Sequence, residues 1–266
     1  MSIRRCLFSL LLPLLAGAHA WAAPLYSATF LPADFTAYGI GNDGSIVGSG
    51  ITPDFQGRAF VWRNGTTTFL PTLGGPSANA TATAGGAVVG ASLSGDFTRG
   101  FVYRNGGIQP IGTLYGGDSY AYGINPSGQV VGASTDAAGN SRAFLYSGGV
   151  MHDLGSFGGD YGEARAIDAA GVVVGYSSFV EYGFSHAFEY ADGSLIDLND
   201  VTGGLGIQVL MDAVGINDAG QIVANSCNEF GYCAPVLLTP VPEPSTALLL
   251  LAGIPVLLWR RQRERH

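Results

Sequence analysis

A fourteen-residue pattern recurs five times along the 266-residue chain, and it rules out any fold that is not itself repetitive. The clearest copy runs from Ala121 to Ser134, A-Y-G-I-N-P-S-G-Q-V-V-G-A-S; the others begin at Ala37, Asn79, Ala164 and Ala213. The glycine after the turn falls at Gly44, Gly86, Gly128, Gly171 and Gly220, giving spacings of 42, 42, 43 and 49 residues. A period near forty residues means supersecondary units that each bury an apolar face against a neighbour.

Each unit reads as two hairpins. In Asn125-Pro126-Ser127-Gly128 the asparagine suits the first turn position, proline the second and glycine the fourth, as a type I turn prefers. Asn217 to Gly220 repeats that chemistry, and Asn42 to Gly44 nearly does. The strand that follows has no alternation: Ile46-Val47, Val88-Val89, Val130-Val131, Val172-Val173-Val174, Ile222-Val223. Such runs imply burial on both faces. A third strand then alternates around Phe60, Phe101, Phe144 and Phe188, each two residues ahead of a further aromatic. Asn64-Gly65, Asn105-Gly106, Gly148-Gly149 and Asp192-Gly193 supply the positive φ angles of two-residue hairpin turns before a fourth strand.

Four short antiparallel strands per unit predict an all-β chain, a five-bladed β-propeller over residues 23–240. An open β-solenoid is the alternative and would need capping units. The fifth copy lacks a fourth strand, which Leu25 to Leu31 would supply if the ring closes. Small residues at the third position of each first strand (Gly39, Thr81, Gly123, Ala166, Gly215) would suit a narrow channel. The fourth copy exits differently, through Leu198-Asn199-Asp200 and a longer insertion over 199–212.

Residues 21–241 carry eighteen acids against six arginines, a balance unsuited to neutralising phosphates, so no nucleic-acid partner is expected. The start is a targeting segment, not fold: Arg4 and Arg5, an apolar run from Cys6, then Ala18-His19-Ala20, the pattern of a secretory signal peptide over 1–22. The mature chain keeps Cys227 and Cys233, an even pair that in an oxidising compartment reads as one local disulfide. A metal pair is the sharper reading, but no other Cys or His lies near in sequence.

Composition changes again after Pro240. Val241-Pro242-Glu243-Pro244-Ser245-Thr246 precede an apolar run from Ala247 to Trp259 and a basic tail with Arg260, Arg261, Arg263 and Arg265. Thirteen helical residues rise about 20 Å, short of a hydrocarbon core of roughly 30 Å. Flanking arginines can snorkel and hold the tail on the cytoplasmic side, so a C-terminal transmembrane helix is expected, with the body outside. This three-part order over 241–266 resembles the PEP-CTERM sorting signal of Gram-negative bacteria. The resemblance implies recognition and processing by an exosortase near Pro242 to Thr246, transient inner-membrane anchoring through 247–259, and release to the surface of an exopolysaccharide-producing cell. Over roughly residues 31–226, A-x-G-I-N-x-x-G-Q-V-V-G with R-A-F-L-Y and D-L-G resembles the HAF extracellular repeat, best in the third copy. That resemblance implies an exported repeat protein and brings no catalytic residues.

Candidate chemistry lies where copies differ. Gly39-Ile40-Gly41-Asn42-Asp43-Gly44 matches the dinucleotide fingerprint, but no helix pattern follows, so it is the repeat's turn and implies no cofactor. Glu163 and Asp212 stand just before the first strands of copies four and five, where other copies carry Thr36 or Tyr120. Two such carboxylates are what a glycosidase needs, although no third supporting acid accompanies them. Tyr38, Tyr120, Tyr122 and Tyr161 are candidate sugar-stacking groups. Asp118 and Asp160 follow paired glycines without the D-x-D spacing of calcium loops, so surface turns are expected and no metal. His186 replaces the arginine of Arg58, Arg99 and Arg142, and His152 stands alone. The leading expectation is a non-enzymatic scaffold or binding module, with exopolysaccharide as ligand; an extracellular glycosidase is the competing class.

Overall fold

The computed structural model describes residues 29–32, 34–180 and 184–241. The chain divides into two units, Met1–Ala33 and Asp34–His266, and all nineteen strands of the described residues belong to the second. The expected signal peptide, the sorting residues Pro242 to Thr246, the apolar run and the basic tail lie outside the described residues.

The first sheet is β1 (Phe35–Ile40), β2 (Ile46–Ile51), β3 (Gly57–Arg63) and β4 (Thr66–Phe69). The second is β5 (Ala78–Ala84), β6 (Ala87–Ser94), β7 (Phe97–Arg104) and β8 (Gly107–Pro110). The third is β9 (Ser119–Ile124), β10 (Val130–Thr135), β11 (Ser141–Ser147) and β12 (Val150–Asp153). The fourth is β13 (Gly158–Ile167), β14 (Val173–Phe179), β15 (Ser185–Ala191) and β16 (Ser194–Asp197), followed by the short helix α1 (Leu198–Val201). The fifth holds three strands among the described residues, β17 (Val209–Ile216), β18 (Ile222–Cys227) and β19 (Cys233–Leu238). Within each sheet the strands are sequential and antiparallel; a single parallel bridge, Ser141 to Tyr161, joins the third and fourth.

Turn chemistry produces this order. Gly128, Gly171 and Gly220 each donate to the carbonyl three residues back (Asn125, Asp168, Asn217), and Gly128 has φ 82°. Asn125 Oδ1 also accepts from Gln129 N at 3.0 Å, as Asn217 Oδ1 does from Gln221 N. That is why an Asx side chain opens the turn. The outer hairpins carry consecutive positive φ values, 52° at Asn105 and 82° at Gly106, the geometry a two-residue turn requires.

The apolar pairs divide between two neighbours. Val88 packs in the core shared with the first sheet, whereas Val89 packs in the core shared with the third; Val130 and Val131 split in the same way. Phe101, Phe144 and Phe188, all fully buried, each fill the core shared with the preceding sheet. Sheets therefore stack face to face in a propeller-like series, held mainly by apolar burial. Three arginines add a latch: Arg58 donates to Pro76 O, Arg99 to Gly117 O at 2.7 Å and Arg142 to Gly159 O at 2.7 Å, each carbonyl on the entry to the next sheet.

Two sequence expectations change. Each inner strand carries a β-bulge, at Tyr38, Thr81, Tyr122, Arg165 and Val214. The second copy turns in two residues, Gly85 and Gly86, so its register slips by one, and Ala82 rather than Thr81 takes the small position. Thr81 instead donates to Ala121 O of the next sheet at 2.7 Å. The expected strand from Leu25 to Leu31 is also not seen in its described part: Thr29 to Leu31 belong to no strand, and Leu25 to Ala28 lie outside the described residues.

The outward faces of the first and fifth sheets are less covered than the faces between sheets. Val223 is 42 % exposed and Leu237 60 %, whereas the matching Val47, Val89, Val131 and Val174 are fully buried. In the first sheet Phe35 folds over Phe60, rings stacked 4.7 Å apart, where later copies have the preceding sheet. All five inner hairpins nevertheless line one cavity of about 610 Å³, with Ile40, Gly85, Asn125, Ala169 and Asn217 each contributing.

Candidate functional site

The sites where the copies differ converge on Arg165. It occupies the bulge of β13, a position filled by tyrosine, threonine or valine in the other sheets. A bulge bends the strand and re-aims its side chain. The guanidinium pairs with Glu163 on the same strand at 3.0 Å and faces Asp212 of β17 at 3.7 Å. Its carbon lies 5.3 Å from the Tyr176 ring centre and 5.7 Å from that of Tyr122. Tyr120 stacks on Tyr122 with centroids 6.4 Å apart and planes 13° from parallel. Strands of three sheets thus bring two carboxylates, one guanidinium and three phenols together.

The cluster is only partly satisfied. Arg165 Nε and Asp212 Oδ1 are buried without hydrogen-bond partners, and their separation of 3.7 Å exceeds a direct hydrogen bond. A gap of that kind is bridged by a hydroxyl or a water, which can donate to the carboxylate while accepting from the guanidinium. Burial pushes the Asp212 carboxyl above its ordinary value, and Arg165 offsets part of that rise. Burial, and then the Glu163 carboxylate, push the Tyr176 phenol up to about 12; Tyr122 rises for the same two reasons. Both phenols therefore stay neutral donors through the physiological range.

Chemically, stacked phenols beside a charged fork suit a polyhydroxylated ring: flat faces for its C–H surface, carboxylates and guanidinium for its hydroxyls. A glycosidase would use Asp212 as the acid and Glu163 as the partner. The guanidinium opposes that use, because it favours the ionised form of Asp212, the group that would have to donate the proton.

The structure thus assembles Tyr120, Tyr122, Glu163 and Asp212, and leaves Tyr38 and Tyr161 as separate, exposed rings. Sequence reasoning missed Arg165 and Tyr176; the signal was a lone charge at a position otherwise small, apolar or aromatic. Asp118 is a structural acceptor, taking Thr98 N at 2.8 Å, and Asp160 is exposed. No group of three metal-ligating side chains occurs among the described residues. His152 is exposed on β12, and His186 departs from the arginine role it replaces by bonding Asp197 through Nδ1 at 2.6 Å. Gly39 to Gly44 leads from β1 into β2, with no helix. Cys227 and Cys233 face each other across β18 and β19 and form a disulfide. Of the sorting residues only Val241 is described, and it is exposed; no helix of the described residues is long and apolar enough to cross a membrane.

No family model and no curated protein matches the chain. Among solved structures it is similar to TolB from Acinetobacter baumannii, with 13 % identity and a TM-score of 0.48, over 77 % of this chain and 57 % of that one. It is also similar to the β-propeller domain of the trilobed protease from Pyrococcus furiosus, with 10 % identity and a TM-score of 0.48, covering 77 % and 68 %. A gluconolactonase from Xanthomonas campestris aligns at 12 % identity and a TM-score of 0.42, covering 72 % and 71 %. The chain thus spans little more than half the length of the TolB protein. The architecture itself stands on the sheet registers and inter-sheet packing above.

Proposed function

We propose that this chain is an exported cell-envelope or extracellular-matrix protein whose body, a five-bladed propeller, is a saccharide-binding module and not an enzyme. The observation that carries the binding role is the Arg165–Asp212 gap, two buried and unpartnered polar atoms walled by Tyr122 and Tyr176. An unpaired buried donor and acceptor cost stability, of order 1–3 kcal/mol each, and a ligand hydroxyl would recover part of it. The exopolysaccharide of the producing cell is the proposed ligand. Export is attributed to the segment 1–22, and sorting to 241–266, with exosortase acting near Pro242 to Thr246 and the inner membrane engaged through 247–259.

The test is equilibrium binding of the purified mature protein to that exopolysaccharide, with reducing ends assayed in parallel. Saturable binding that weakens at least tenfold in Arg165→Met, with no release of reducing ends, is the expected result. Binding unaffected by Arg165→Met would overturn the site. Release abolished by Glu163→Gln and Asp212→Asn would instead establish the second reading, a glycosidase, for which the raised Asp212 carboxyl is the favouring observation. For sorting, deleting residues 241–266 should leave the protein unprocessed and change its location; unchanged processing would refute it.

A further inference from the structure

The latch that ties each sheet to the next is missing once. Arg58, Arg99 and Arg142 reach the entry of the following sheet, but the fourth copy has His186, whose Nδ1 is held by Asp197. Asp197 is itself fixed as the cap of α1, accepting from Asn199 N at 2.8 Å. The Asn199 amide in turn clamps Leu210 of β17 from both sides, donating to its carbonyl at 3.0 Å and accepting from its N–H at 2.8 Å. The longer insertion of the fourth copy therefore does by side chains what the arginine does elsewhere, and the space beside the histidine is left open.

That space is a cavity of about 380 Å³ between the fourth and fifth sheets, apart from the Arg165 cluster. It is lined by Phe179, Phe184, Val209, Met211 and the disulfide's Cys227, with His186, Asn228 and Glu229 as its polar members. The volume lies in the range of small-molecule sites, roughly 300–1,000 Å³, and mostly apolar walls with a few placed polar groups are their usual makeup. Phe179 meets the imidazole edge-on, with ring centres 4.7 Å apart, so the ring is held from two directions. In the neutral tautomer that donates Nδ1–H to Asp197, Nε2 is an acceptor, and it has no partner among the described residues.

We propose that this cavity is a second binding site, for a small aromatic alcohol whose hydroxyl donates to His186 Nε2. The aromatic choice follows from the walls: two phenylalanine rings for edge or offset packing, and the Met211 thioether, which favours contact with a ring edge. The hydroxyl choice follows from the acceptor, since a ligand without a donor would leave that nitrogen desolvated and unpaired.

Titrating the mature protein with 4-propylphenol and with propylbenzene, followed by the methyl resonance of Met211 and by calorimetry, tests the site. The phenol should bind saturably and at least tenfold tighter than the hydrocarbon. His186→Phe should abolish that preference while keeping an apolar pocket, and Val209→Trp should block both ligands at unchanged melting temperature. If Val209→Trp proves unstable, a phenol titration of the Met211 resonance that weakens at least tenfold in His186→Phe, with the hydrocarbon's affinity unchanged, still decides. No saturable binding, equal affinity for the two ligands, or binding untouched by either substitution would overturn the proposal.

Discussion

Glu189 shows how one residue can run against its repeat. Its counterparts are Val61, Val102, Leu145 and Leu237, all apolar, yet it pairs in register with Val174 inside the fourth sheet. Burial, and then the nearby Asp168 charge, hold its carboxyl above the ordinary value. A carboxyl raised in the folded state binds its proton more readily there than in the unfolded chain. Stability therefore falls as pH rises from the unfolded value through the folded one. Glu189→Val should raise the melting temperature at pH 7, by the equivalent of about 1 kcal/mol of apolar burial. The gain should shrink near pH 4, where the wild-type carboxyl is protonated. A thermal melt at both pH values checks it, and equal gains would show that the carboxyl does not matter. The same residue scale explains Gly132, where an added Cβ would collide with the Tyr120 carbonyl. Glycine there serves close strand approach, not a turn.

At the scale of elements, turns and strands were readable because their causes are local. Asn-x-x-Gly and Asn-Gly fix φ within a few residues, and the unbroken valine pairs need only two covering neighbours to explain them. The latches were not readable, because an arginine at the start of a strand has no local signature of its partner. Arg142 bonds Ser156 Oγ at 2.9 Å as well as Gly159 O. Arg142→Met should cost about 2 kcal/mol in urea denaturation, as expected for losing hydrogen bonds from a charged donor. His186→Ala should cost less, since no inter-sheet carbonyl depends on it. A larger loss from His186→Ala would mean that Asp197 and α1 need the imidazole to stay in place. The second copy illustrates the limit of alignment by sequence. Two glycines there close the turn sooner, and the strand slips one position without disturbing the glycine spacing.

At the scale of the molecule, identical sequence positions have different environments according to what covers them. Val131 is fully buried between two sheets, and Val223, the same position of the last copy, is 42 % exposed. Val131→Ala should destabilise the protein by about 2 kcal/mol and Val223→Ala by less than about 1 kcal/mol. Equal losses would show that another element covers the fifth sheet in solution. The comparison uses one protein and one residue type, so transfer free energy is the same and only burial differs.

The sequence by itself determined the five units, their hairpin turns and the residues that fill the cores, because period, turn residues and apolar runs act over short distances. It also marked Glu163 and Asp212 by their departure from the repeat, and Tyr120 and Tyr122 as candidate stacking groups. Only the tertiary structure decided that these meet at Arg165, a side chain placed by a bulge and surrounded by strands far apart in the chain. It alone showed that the histidine standing in the arginine's place borders a cavity, because a missing contact has no sequence pattern of its own. Repetition fixes what each unit must do for its neighbour; the exceptions acquire meaning only when their neighbours in space are known.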